Sequence, residues 1–256
     1  MSMIKLVLNT KGGVGKSIIS TQILTLLANE NQEIEIYEID NNNRTILDNT
    51  KLTIKSFEAN KAAEALDEAF FEALANENKL VIVDAGGGDD TKKIINAIEK
   101  AQFGDAEYYI PINSDLEQQK NLIDTINLIK NIDKKAKINI ILNRARSLDE
   151  ESIKNQFINL FGNENYEIEG IFNKIEKDIK KIYAVEDNNV LQIVKNIYKT
   201  TLKDILANNR DILQNITELR KEWVKEGKEE FKKKMAFYRL LKDIDDFANT
   251  IIKQFK

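Results

Sequence analysis

Ile4-Lys5-Leu6-Val7-Leu8-Asn9-Thr10-Lys11-Gly12-Gly13-Val14-Gly15-Lys16-Ser17 is the stretch that decides the fold. Residues 4–9 read as a short buried strand, and a helical pattern begins near Gly15 on the far side of the glycines. Glycine lets the backbone curl so that successive N–H groups point inward around phosphate oxygens. The following helix adds its positive amino-terminal end. Gly12, Gly13, Val14, Gly15, Lys16, Ser17 and Ile18 are therefore candidate nucleotide-binding residues. Lys16 is placed to reach the β and γ phosphates, and the Ser17 hydroxyl to ligate Mg2+. The bland alternative is a tight strand–helix turn that happens to be glycine-rich. Gly-Lys-Ser directly after a strand weighs against it.

Outward from this loop, short apolar runs alternate with longer amphipathic ones. That pattern predicts an α/β fold, a mostly parallel twisted sheet flanked by crossover helices. Strands are expected at Ile4–Asn9, Glu33–Ile39, Leu80–Asp84, Glu107–Ile112, Lys137–Leu142 and Glu167–Ile171, with a further short one within Lys51–Phe57. Helices are expected to begin near Gly15, Lys61, Asp89, Asp115, Glu150 and Lys174. From about Val190 no strand signal remains. Two or three packed helices are expected there, broken near Asn208–Asn209 or Gly227. The expectation is one P-loop ATPase domain over residues 1–256, of which about 190–256 is an all-helical carboxy-terminal part.

Composition narrows the chemistry. The 256 residues include no cysteine, which excludes disulfides, thiolate zinc sites and cysteine-ligated iron–sulfur clusters. Histidine is also absent, so acid–base work falls to carboxylates, lysines or bound water. No signal-peptide pattern opens the chain, and no run reaches the ~18 apolar residues of a membrane span. A cytoplasmic protein is expected. The net charge of -4 is uneven: from Leu191 onward there are 15 basic against 10 acidic residues. The carboxy-terminal part is thus the side suited to a polyanion.

Thr10 stands where a P-loop usually has its first glycine, and a second lysine, Lys11, precedes the double glycine. Lys11-Gly12-Gly13-Val14-Gly15-Lys16-Ser17 resembles the deviant Walker A loop of the ParA/MinD family of dimeric P-loop ATPases. The resemblance implies an ATP-bound homodimer in which Lys11 reaches the partner's phosphates. A second cation there stabilises transition-state charge as an arginine finger does. The likeness extends over roughly Met1 to Leu191, including Tyr109-Ile110-Pro111-Ile112. Gly170–Val190 is similar to the family's penultimate strand and helix but lacks the proline expected after Ile171.

Two strand-terminal carboxylates fit the same resemblance. Asp84 closes Leu80-Val81-Ile82-Val83-Asp84, which resembles Walker B and implies a magnesium role through water. Asp40 closes Ile34–Ile39 and resembles the family's water-orienting aspartate. In the matching segment Glu38 replaces the first aspartate, and Asn42 the glutamine. Gly86-Gly87-Gly88 then reads either as a switch loop responding to the γ-phosphate or as a flexible link into a helix. At the end of the next strand but one, Asn143-Arg144 resembles the family's base site, where an asparagine amide can match the adenine edge. Asn173-Lys174-Ile175-Glu176 is a poor match to a guanine motif and reads as a helix start. ATP, with ADP after hydrolysis, and Mg2+ are the implied cofactors, and Lys11, Lys16 and Asp40 the implied catalytic set.

The resemblance implies several uses for such a switch. A ParA-like member binds DNA non-specifically and segregates plasmid or chromosomal DNA with a centromere-binding, ParB-like adaptor, and it is then nucleoid-associated. A MinD-like member positions itself on membranes. A third type is a nucleotide-gated interaction protein in conjugation or pilus placement. Lys221, Lys225, Lys228 and Lys232 follow 4-3-4 spacing, which on one helix forms a row able to track phosphates. The same row also fits a solvated face, since Glu222, Glu226, Glu229 and Glu230 flank it. Phe247, Ile251, Ile252 and Phe255 share a face that suits either a membrane tail or internal packing. Asp243, Asp245 and Asp246 beside them weigh against a membrane.

Overall fold

A computed structural model describes residues 4–41, 44–101 and 106–255. The chain forms two compact units. One comprises residues 1–24, 28–45 and 52–187, the other residues 25–27, 46–51 and 188–256.

The first unit is a seven-stranded, all-parallel sheet. Its strands are β1 (Ile4–Val7), β2 (Glu33–Ile39), β3 (Thr53–Phe57), β4 (Lys79–Ala85), β5 (Glu107–Ile112), β6 (Lys137–Ala145) and β7 (Ile179–Glu186). The spatial order is β3-β2-β4-β1-β5-β6-β7, so β1 is central and the chain winds first to one side of it and then to the other. Such a change of direction opens a crevice at the carboxyl ends of the strands, where α/β proteins bind ligands. The helices are α1 (Lys16–Ile18), α2 (Ala62–Ala75), α3 (Asp89–Ala101), α4 (Leu116–Ile132), α5 (Glu150–Gln156), α6 (Ile158–Phe161) and α7 (Phe172–Ile175). A five-residue π turn, Ile19–Ile23, continues α1.

One face of the sheet carries the main core. Ile4, Leu6 and Leu8 alternate inward with Val81 and Val83, Tyr108 and Ile110, and Ile138 and Ile140. Helix α2 buries Ala62, Ala65, Leu66, Ala69 and Ala73, the 3-and-4 spacing of one helical stripe. Its small side chains let the helix sit close to the strands.

The expected position of the last strand needs correction. Glu167–Ile171 is not a strand: Glu167 takes a left-handed φ of 53°, and Asn163 pairs with Ile168 in an isolated antiparallel bridge. A Cβ on Gly170 would collide with the backbone of Phe161 and Gly162. The last strand is instead β7, an edge strand whose Lys180 and Lys181 are exposed. Lysines on an edge discourage further pairing, and here they also hide the strand's apolar signature. The short strand expected within Lys51–Phe57 is present as β3.

The second unit contains α8 (Asn189–Gln192), α9 (Leu202–Asn208), α10 (Arg210–Gln214), α11 (Ile216–Lys225) and α12 (Lys228–Phe255). Thr201 caps α9 by accepting the Asp204 N–H at 3.0 Å. The Asp204 carboxylate accepts the Thr50 hydroxyl at 2.6 Å, tying residues 46–51 to the helices. Both expected breaks occur, at Asn209 and at Gly227, and Asn215 adds another, unexpected one. The reversal at Gly227, φ 101°, divides the lysine row. Lys221 and Lys225 lie on α11, Lys228 and Lys232 on α12, so the four do not share one helix face. Phe247, Ile251 and Phe255 are buried and pack inward. Among the described residues no helix is long and apolar enough to cross a membrane.

On β2 a buried charge is matched by partners from neighbouring elements. Glu35 on β2 accepts Lys79 at 2.8 Å and also pairs with Lys55; those lysines reach Glu72 at 2.5 Å and Glu68 at 2.6 Å on α2. Burial pushes the Glu35 carboxyl up, but hydrogen bonds from Lys55 and Lys79 outweigh it and hold the group below its ordinary value of 4.5. A lowered carboxylate stabilises the fold above its unfolded pKa and loses that contribution as pH falls through the folded value. Glu35→Gln is expected to cost about 1.5–3 kcal/mol at neutral pH in urea unfolding. The gap to the parent should close as the pH is taken below about 4.

Candidate functional site

The loop between β1 and α1 is shaped from both sides. Asn9, fully buried, donates its side-chain N–H to Pro111 O at 2.8 Å on β5, and its Oδ1 accepts the Lys11 N–H at 2.8 Å. This side-chain-to-backbone turn fixes where the glycines start. The Thr10 hydroxyl meets that of Thr125 on α4 at 3.0 Å. Gly13 (φ 75°) and Gly15 (φ 93°) lie in the left-handed region. At Gly15 a Cβ would also collide with Asn143 Nδ2. The loop therefore needs glycine at these positions on conformational grounds.

Lys16 folds back under the loop, 8% exposed, and its ammonium donates to Lys11 O at 3.0 Å and Asn9 O at 3.4 Å. Burial lowers its pKa, while Asp84 and then Asp40 raise it. Asp84 near the end of β4 is 3% exposed, and its Oδ1 has no hydrogen-bond partner. Burial pushes its carboxyl up to about 7; hydrogen bonds from Ser17 and Ser20 and the charge of Lys16 work against this, and Glu38 adds to it.

The donor set fits a hard divalent cation. A buried carboxylate oxygen without a partner lies beside the Ser17 hydroxyl, and the described residues contain no cluster of three or more acidic side chains that would form an all-protein cage. Mg2+ is commonly held in this way, by one or two protein oxygens with water and phosphate completing the shell.

The other expected residues have distinct places. Asp40 lies just beyond β2, its N–H bonded to Phe57 O at 3.1 Å. Glu38 accepts the Thr45 N–H with both oxygens, at 2.8 and 3.1 Å, so it shapes the loop after β2. Asn42, matched to the family's glutamine, lies outside the described residues. Lys11 is on the surface, its ammonium 2.7 Å from Glu117 at the first turn of α4. Asn143 is buried and donates its amide to Val14 O at 2.8 Å, so it braces the loop from β6. Arg144 is exposed with φ 58°, and Gln156 spans it by donating to Arg144 O (2.8 Å) and accepting from Arg146 N (2.7 Å). The four candidate DNA lysines belong to the second unit and are exposed.

The glycine segment after β4 is tied to this loop. Gly88 N–H bonds Thr10 O at 2.8 Å, and the buried Thr91 hydroxyl lies 2.9 Å from Asn9 O and 2.5 Å from Gly86 O. A Cβ on Gly87 would lie 3.0 Å from the backbone of Gly12. Sequence reasoning misses Asn9, Thr91 and Thr125. Only Asn9 leaves a trace there, as an Asn shortly before a glycine turn at a strand end.

Known proteins bear on this geometry. Residues 5–191 match the model of the CobQ/CobB/MinD/ParA nucleotide binding domain. Among solved structures, an ATP complex of a Cyanothece McdA variant is similar at TM-score 0.51 and 11% identity, covering 79% of this chain and 89% of that one. A chain of a MinC:MinD cell division protein complex from Aquifex aeolicus is similar at TM-score 0.50 and 14% identity, covering 76% of this chain and 89% of that one. At such identities the likeness concerns the fold. A comparison with curated proteins gave no match. With nearly three-quarters of its length inside that family model, loop and sheet included, the chain belongs to the CobQ/CobB/MinD/ParA family of nucleotide-binding domains.

Proposed function

We propose that this protein is a ParA-like ATPase that closes on ATP as a sandwich dimer and binds DNA non-specifically, in partnership with a ParB-like adaptor, to segregate plasmid or chromosomal DNA. The observation that carries the reading is the loop itself. Buried Lys16 and Asp84 lie beneath Gly13 and Gly15, while a second lysine, Lys11, stands outside at the surface. An ordinary P-loop needs only the inner lysine.

In this reading residues 12–18 wrap the triphosphate with their N–H groups, and Lys16 exchanges Lys11 O and Asn9 O for phosphate oxygens. Ser17 and Asp84 would hold Mg2+, which when bound neutralises charge on the β and γ oxygens. Asp40 accepts a hydrogen bond from the attacking water and orients it. Lys11 leaves Glu117 and completes the partner protomer's site, where its charge stabilises the leaving oxygen. Asn143 presents its remaining carbonyl oxygen, and Arg144 its side chain, toward the base. Residues 1–256 act as one ATPase domain, with the helical part from about residue 190 meeting DNA through Lys221, Lys225, Lys228 and Lys232. The burial of Phe247, Ile251 and Phe255 supports DNA over a membrane as the surface. Turnover is expected to be slow and partner-stimulated, in a cytoplasmic, nucleoid-associated protein.

Three outcomes are expected. Lys16→Ala should remove the heat of Mg·ATP binding in calorimetry; undiminished binding refutes the loop assignment. Lys11→Ala should keep ATP binding but lower phosphate release by about 10³-fold, the scale of a lost arginine finger. Full activity in that variant would sink the dimeric mechanism. Gel shifts with ATP should show sequence-independent DNA binding whose log K falls by ~0.9 per neutralised phosphate with log salt. No shift at low salt would remove DNA from the proposal.

A further inference from the structure

The residue immediately after Asp40 is held by a group that belongs to another element. Asn41 donates its side-chain N–H to Asp90 Oδ1 at 2.8 Å and its backbone N–H to Asp90 Oδ2 at 3.3 Å. Asn41 Oδ1 in turn accepts the Ala59 N–H at 3.0 Å, so its amide is engaged on both sides. Asp90 is 8% exposed, in the first turn of α3, with Lys93 3.5 Å from Oδ1. A partly exposed cation at that distance does not explain why a carboxylate is buried here. Two hydrogen bonds to one neighbouring residue do.

The other end of Asp90 is joined to the glycine segment. Its N–H bonds Gly87 O at 3.3 Å, and a Cβ placed on Gly86 would lie within 3.2 Å of Oδ2. Gly86 N–H bonds Ile39 O at 2.7 Å, and Gly88 N–H bonds Thr10 O at 2.8 Å. Next along, buried Thr91 is seated on Asn9 O and Gly86 O. Residues 86–91 thus touch the phosphate loop at Asn9 and Thr10 and the Asp40 segment at Ile39 and Asn41.

We infer that Asp90 is a positioning residue for hydrolysis: it clamps Asn41 and thereby sets Asp40 relative to the phosphate loop, with Thr91 anchoring the clamp. This rests on the ATPase reading above, in which Asp40 orients water. The clamp makes the position of Asp40 and the arrangement of the glycine segment a single variable. A carboxylate is required because it accepts from two N–H donors of one residue. An asparagine in its place keeps one acceptor and turns an amide toward the second donor. Asp90 touches no phosphate-binding atom, so its loss should act on the chemical step and spare ATP affinity.

The test compares steady-state phosphate release from Mg·ATP in the parent, Asp40→Ala, Asp90→Ala, Asp90→Asn, Asn41→Ala and the double variant Asp90→Ala/Asn41→Ala. Calorimetric ATP binding and thermal unfolding of each protein accompany it. Asp90→Ala should lower kcat by about 10²-fold, the scale of a 1 Å misplacement, with KM and ATP heat little changed. Asp90→Asn should recover part of the rate. Asn41→Ala should match Asp90→Ala, and the double variant should be no worse than either, because one contact is lost only once. Parent-like kcat in Asp90→Asn and Asn41→Ala, with Asp40→Ala inactive, overturns the inference and leaves the ATPase reading intact. Additive losses in the double variant also overturn it. Full activity in Asp40→Ala refutes the role given to Asp40 and the inference with it. Should Asp90→Ala fail to fold, Asp90→Asn and Asn41→Ala decide the matter in the same way.

Discussion

An ammonium and a carboxylate buried together beneath a curled backbone loop set the terms for the rest of this molecule. Lys16 has given up water for two backbone carbonyls, and burial lowers its pKa; Asp84 has an oxygen with no hydrogen-bond partner, and burial raises its pKa. Each shift has the sign of an incompletely compensated charge. Desolvating such groups costs several kcal/mol per ion, and the fold meets that cost before any ligand arrives. What it gains is preorganisation. In the proposed bound state, triphosphate oxygens and a divalent cation would supply the missing partners, in a place where water has already been removed.

Parallel pairing is what brings these charges to one place. Val7 on β1 is in register with Asp84, and Glu38 on β2 faces Asp84 from the other side. Asp40 is two residues beyond Glu38, just past the carboxyl end of β2, and its charge acts on Lys16. Carboxylates from β2 and β4 and the lysine after β1 are thereby gathered from residues far apart in sequence. Once the register is fixed, only the loops beyond the strand ends remain to be specified, and the hydrogen bonds of Asn9, Glu38 and Thr91 do that.

The parts legible in the sequence share a property: they are local. β1, β2, β4, β5 and β6 are rich in apolar residues, and the phosphate loop is a contiguous motif followed by a helix. Lys16, Ser17 and Asp84 come together as their strand ends imply. β7 escapes such a reading because Lys180 and Lys181 break its apolar run, while Glu167–Ile171 imitates a strand until Glu167 turns left-handed. Hydrogen bonds across long separations leave no pattern at all. Thr91 reaches Asn9 across 82 residues, and Asn143 reaches Val14 across 129. Asn143 is expected to meet the base, yet one of its two amide N–H donors is already given to Val14 O in the loop. The single helix face expected of the lysine row is lost for another reason, since residue spacing defines a face only while the helix continues, and Gly227 ends it.

Magnitudes also bear on the role in trans proposed for Lys11. Its partner Glu117 is 71% exposed, and ion pairs of that kind contribute at most about 1 kcal/mol. A charge-assisted bond to a phosphate oxygen in a closed, water-poor site is stronger, because the surrounding dielectric is lower and the ligand carries more charge. The surface pair therefore holds Lys11 near the loop without competing seriously for it. Lys16 is the opposite case: buried, held by carbonyls and next to Asp84 and Asp40, it has no comparable freedom. Two lysines in one loop thus differ in what their surroundings allow. The inner one is committed to its own loop, and the outer one is held only by an exposed ion pair, as the proposed role in trans requires.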